Sequence, residues 1–138
     1  MRGRSRTDWF GVCLEAPDPQ ALADFYAAVL GWPVVQRDES GAAIQVGETS
    51  SYLSFQEAAG YVRPVWPAEP GEQLMMMHVD VAVDDLTEAV AAALELGATL
   101  AGYQPQEDCT VLLDPAGHPF CLYLDKPPGD QQASRATG

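Results

Sequence analysis

The stretches PDPQALADFYAAVLGW (residues 17–32) and VDDLTEAVAAALELGA (residues 83–98) carry the same punctuation. Each opens on an aspartate, Asp18 or Asp85, whose carboxylate can accept from the free N–H groups of a first helical turn. Pro19 follows Asp18, at the one helical position where a missing N–H costs nothing. Glu88 follows Asp85 by three residues, a capping-box pattern. Between the caps, apolar residues recur every three or four positions: Leu22, Phe25, Tyr26, Val29 and Leu30 in the first stretch, and Leu86, Val90, Ala93 and Leu94 in the second. Gly31 and Gly97 close the helices, because the residue after a last turn adopts a left-handed conformation that glycine accepts without strain. Both predicted helices thus have one apolar face to lay against a sheet.

Outward from the helices the repeat continues. FGVCLEA (10–16) precedes the first helix and MHVDVAV (77–83) the second, each reading as a strand. After the helices come PVVQRDESGAAIQVG (33–47) with SYLSFQE (51–57), and TLAGYQPQEDCTVLLDPAG (99–117) with HPFCLYLD (118–125), each long enough for three short strands. The linker GYVRPVWPAEPGEQ (60–73) is rich in proline and glycine, as a connection should be. The predicted fold class is α+β, with two tandem βαβββ modules (9–58 and 74–125) joined by a linker (59–73). Residues 1–8 and 126–138 read as tails.

Period-two alternation assigns the strand faces. Val12, Leu14, Leu53, Phe55, Val79, Val81, Val83, Phe120 and Leu122 are expected toward the helices. Gly11, Cys13, Glu15, Tyr52, Ser54, Gln56, His78, Asp80, Cys121 and Tyr123 are expected on the other face. A flat solvated sheet would show lysine and threonine there; tyrosine, cysteine, histidine and acids suit the lining of a concave site.

The 138 residues suit one domain, and 47% hydrophobic with 20% charged residues is a globular composition. Between residues 7 and 125 only Arg37 and Arg63 stand against nineteen acids, so nucleic acid and anionic membranes are disfavoured partners. No apolar run is long enough to span a membrane, and the arginines near the N-terminus have no apolar segment behind them. Three cysteines without a CxxC pair favour reduced thiols, and a cytoplasmic location is expected. No phosphate-binding glycine loop, nucleophile elbow or HExxH helix is present.

ALADFYAAVLGW, MHVDVAVDDLTEAVAAALELGA and LLDPAGHPFCLYLD resemble the vicinal-oxygen-chelate superfamily of glyoxalase I, bleomycin-resistance proteins and extradiol dioxygenases, over about residues 10–125. The resemblance implies a curved, open, barrel-like sheet with helices on its outer face, usually in a homodimer. It also implies a divalent metal held by the first and last strand of each module. Those four positions fall on Gly11, Ser54, His78 and Cys121, of which only His78 is a standard ligand in its expected place. No cofactor is therefore expected; the alternative is zinc on His78 and Cys121 with Glu15 or Asp80.

The expected function is binding of a small organic molecule, cationic or aromatic, in the manner of the bleomycin-resistance branch. Glu15 and Asp80 would supply negative charge, Gln56 a polar contact, and Tyr52, Tyr123, Trp32 and Trp66 aromatic surface. The alternative is a metal-dependent lyase, isomerase or dioxygenase with His78 as its catalytic residue. His118 reads as a turn residue and Met75, Met76 and Met77 as core or dimer contacts.

Overall fold

The structure is a computed structural model that describes residues 2–7 and 9–125; the expected C-terminal tail lies outside the described residues. Strand β1 (Phe10–Ala16) leads into helix α1 (Pro19–Leu30), then β2 (Val34–Asp38), β3 (Gly41–Gln45) and β4 (Ser51–Glu57). After the linker the order repeats as β5 (Val79–Val83), α2 (Leu86–Glu95), β6 (Thr99–Leu100), β7 (Cys109–Leu113) and β8 (Pro119–Leu124). Each half forms a four-stranded sheet, ordered β1-β4-β3-β2 and β5-β8-β7-β6. In both, the first strand pairs in parallel with the last and the others pair antiparallel. The two sheets remain separate and open, with β1 and β5 at their edges.

The helix signals act where the sequence places them. Asp18 Oδ1 accepts from Ala21 N at 3.0 Å, and Asp85 Oδ1 accepts from Glu88 N at 2.9 Å. Gly31 closes α1 at φ 70°. Among the described residues no helix is long and apolar enough to cross a membrane.

One core serves both halves. Leu14, Ile44 and Phe55 from the first sheet and Leu112, Phe120 and Leu122 from the second are buried in one cluster with Leu22, Phe25 and Tyr26 of α1. Phe25 meets Phe120 edge-on at 5.8 Å, while Tyr26 stacks on Phe55 and meets Phe120 edge-on. Because α1 already covers Phe120, α2 has less to bury: Ala93 is buried, but Leu94, expected in the apolar stripe, is 41% exposed.

A polar anchor also joins the halves. Tyr26 donates its hydroxyl to Asp114 Oδ2 at 2.9 Å across 88 residues of chain. Asp114, 1% exposed, accepts in addition from Ala116 N, His118 N and the His118 ring at Nδ1. Tyr61 from the linker closes the group by donating to the Ala116 carbonyl at 2.8 Å. The motif DPAGHPF is thus a turn built around a buried carboxylate, and His118 belongs to that turn.

Candidate functional site

Strand geometry collects the polar residues of the second half. His78 and Asp80 are two positions apart, so they lie on one face, while Val79 and Val81 pack toward the core. Asp80 is the direct cross-strand partner of Cys121. Cys109 pairs with Tyr123, one diagonal step from Cys121. Over this face lies a cavity of about 430 Å³ whose floor holds His78, Asp80, Cys109 and Cys121. Trp66 and Met75 from the linker side, Tyr123 from β8 and Asp108 from the loop before β7 form its walls. Trp66 is held there by donating its indole N–H to the Tyr103 carbonyl at 3.2 Å.

The floor is tightly coupled. His78 Nε2 lies 3.2 Å from Asp80 Oδ1. The Cys121 thiol is pushed up to about 12, first by burial and then by hydrogen bonding to Cys109 and the negative charge of its neighbours, Asp80 included. It is therefore protonated at neutral pH and offers no thiolate nucleophile. Among the described residues the cavity's charged side chains are acidic, and neither lysine nor arginine lines it.

The first half presents its own open face. A second cavity, of about 410 Å³, is lined by Trp9, Cys13, Tyr52, Ser54 and Gln56, with the Trp9 and Tyr52 rings 6.3 Å apart. Glu15 accepts from Gln56 Nε2 at 3.1 Å and turns into a third cavity, bordered by Met75, Met77 and His118. Trp32 packs against the core and lines neither of the first two cavities. Within the chain, His78, Asp80, Cys121, Tyr123 and Trp66 thus meet in one place, Tyr52 and Gln56 in another, and Glu15 and Asp80 in different cavities.

The metal centre implied by the superfamily does not fit these residues. A side chain at Gly11 would run into the Tyr52 ring, whose Cε2 lies 2.2 Å from where a Cβ would stand. An aromatic ring fills the place of the first ligand. The Ser54 hydroxyl donates to the Val12 carbonyl at 3.5 Å, and both positions lie on the sheet opposite to that of His78 and Cys121. The first half contributes no donor set of the usual kind.

Sequence reasoning did not single out Cys109, Asp108 or Trp9. For Cys109 a signal existed: in CTVLL, alternation puts Cys109 with Val111 on the face away from Leu112. Asp108 sits in an irregular loop and Trp9 precedes the first strand, where periodicity says nothing.

The comparisons with known proteins agree with this architecture. No curated protein matches the sequence. Among solved structures, a glyoxalase/bleomycin resistance protein/dioxygenase family enzyme from Burkholderia phytofirmans is 18% identical, with a TM-score of 0.62 over 83% of this chain and 95% of that one. The fosfomycin resistance protein FosX from Mesorhizobium loti is 13% identical, with a TM-score of 0.62 over 95% of this chain and 98% of that one. TnmS3, an antibiotic binding protein from a Streptomyces species, is 18% identical, with a TM-score of 0.55 over 91% of this chain and all of that one. These likenesses show a shared fold. The sequence profile described as a glyoxalase-like domain matches residues 11–123, nearly the whole described chain, and this protein belongs to that family.

Proposed function

We propose that this protein binds a small, planar, positively charged organic molecule over the open face of its second sheet, and that a second copy of the chain closes the site. One observation carries the reading: the cavity of about 430 Å³ has aromatic walls, Trp66 and Tyr123, and carboxylates Asp80 and Asp108 as its charged groups. That volume lies within the range of pockets that hold drug-sized ligands. A flat cation gains from ring faces and from the negative charge together. The fold is shared with an antibiotic-binding protein and a fosfomycin resistance protein, which supports capture of a small molecule as the activity.

The second copy is argued from what each chain leaves exposed. Met76 is 82% and Met77 61% exposed beside the edge strand β5, and Trp9 and Phe10 are exposed at the edge strand β1. Apolar residues along two unpaired sheet edges suit burial between copies.

A fluorescence titration with a planar aromatic cation such as an acridinium dye tests the binding. Trp66→Ala is expected to weaken it about tenfold, the effect of losing a desolvated ring–cation contact. Asp80→Asn is expected to weaken it about fivefold and Glu15→Gln to leave it unchanged, since Glu15 faces another cavity. Unaltered affinity in both Trp66→Ala and Asp80→Asn would overturn the reading. In the catalytic alternative His78, 3.2 Å from Asp80, acts as base and His78→Ala abolishes turnover; in the binding reading the same variant only dents affinity.

A further inference from the structure

The floor of the cavity brings together three side chains with metal-ligating atoms, and one of them, Asp80, is outside the four positions that the superfamily uses. The ligand atoms of His78, Asp80 and Cys121 all lie within 4.8 Å of one another. We propose that these three residues form a binding site for a thiophilic divalent metal ion, zinc foremost, contained wholly in the second half of the chain. It keeps His78 and Cys121 but replaces every donor of the first half with Asp80.

Distances favour the assignment. Zinc binds imidazole nitrogen and carboxylate oxygen at about 2.0–2.1 Å, so two such atoms on one tetrahedral ion stand about 3.3 Å apart. His78 Nε2 and Asp80 Oδ1 stand 3.2 Å apart. A thiolate at about 2.3 Å from the ion stands about 3.6 Å from either, so from a separation of no more than 4.8 Å Cys121 needs to close in by about 1.2 Å at most. Strand pairing makes that movement small, because Asp80 and Cys121 face each other across β5 and β8 and His78 precedes them on the same face.

The donor set selects the ion. One imidazole, one carboxylate and one thiol suit zinc or cobalt and are poor for magnesium or calcium, which prefer oxygen alone. Coordination displaces the Cys121 proton to solvent, and the ion's two charges are then matched by the thiolate and the Asp80 carboxylate. Three protein ligands leave a fourth position for water or a bound molecule. Cys109 is in hydrogen-bonding contact with Cys121 and adds a second sulfur to the floor.

The ion and the organic cation would both draw on Asp80, so the two proposals are tested separately; Trp66, Tyr123 and Asp108 remain as walls with or without the ion. The test uses reduced full-length protein stripped with a chelator and titrated with cobalt(II) alone, then with zinc in competition. The expected result is one equivalent bound, with thiolate-to-cobalt charge transfer in the near ultraviolet. Cys121→Ser should abolish that band while Cys13→Ser retains it. His78→Ala and Asp80→Asn should each weaken zinc by more than the roughly tenfold to hundredfold that outer-shell changes cost. Circular dichroism of each variant separates ligand loss from unfolding. Absence of the band, or equal uptake by wild type and all variants (an adventitious ion only), would overturn the proposal. Dye binding by the metal-free protein is read in parallel, so either idea can fail alone.

Discussion

Replacing Tyr26 with phenylalanine removes one oxygen at the point where the two halves meet. The buried hydroxyl donates 2.9 Å to Asp114 Oδ2. A hydrogen bond to a charged acceptor contributes about 1.5–3 kcal/mol. Two features place this one near the lower end. Asp114 keeps its contacts with Ala116 N, His118 N and His118 Nδ1, so the carboxylate is not orphaned. The ring contacts with Phe25, Phe55 and Phe120 need no oxygen and stay. The expected loss at neutral pH is therefore about 1.5–2 kcal/mol, against about 3–5 kcal/mol for Asp114→Ala, which strands Tyr26 and two amides. Urea unfolding followed by circular dichroism and tryptophan emission measures it, with one transition and an unchanged slope.

The same hydroxyl adds a pH signature. Burial, and then the Asp114 charge, hold Tyr26 protonated well above the usual tyrosine range. Its folded pKa is raised, so its contribution is complete below the unfolded value of about 10 and is lost as pH rises beyond it, by about 1.4 kcal/mol per pH unit. The phenylalanine variant lacks this loss, so the gap between the two proteins should close by about pH 11. A variant within about 0.5 kcal/mol of wild type at neutral pH, or a gap indifferent to alkali, would refute the reasoning.

Two further outcomes are expected. Gly41→Ala should destabilise by about 1–3 kcal/mol in thermal or urea melts, because its Cβ would stand 1.8 Å from the Phe55 carbonyl oxygen, a backbone atom that cannot swing away; an unaltered melt would show that β3 and β4 can shift apart there. Sedimentation should show a dimer whose association tightens with salt, since each copy carries a formal charge of −13, and Met76→Glu with Met77→Glu should dissociate it. A monomer at every salt concentration would remove the second copy from the proposed site.

Much of this was legible in the sequence because it rests on local rules. The Asp18 and Asp85 caps, the helix stops and the alternation that sends Phe55, Phe120 and Leu122 inward all follow from spacing alone. The grouping of His78, Asp80, Cys121 and Tyr123 on one face was legible for the same reason. What spacing cannot give is which half packs against which. That α1 reaches across to Phe120, leaving Leu94 exposed, is a long-range outcome. So are the separation of Glu15 from Asp80, the retreat of Trp32 to the core and the arrival of Trp66 over the second sheet. Nothing in the spacing marks Asp114; only the fold turns it into the polar centre that holds Tyr26.

The two open faces carry a constraint of symmetry. Each copy offers two different half-cavities, one behind Tyr52 and one above Cys121, that share no lining residue. If the first face of one copy covers the second face of another, the contact is head-to-tail, and such contacts either close or propagate. In the proposed dimer a two-fold pair would close both at once, and a variant that tilted one half against the other would spoil that closure and leave a contact free to propagate.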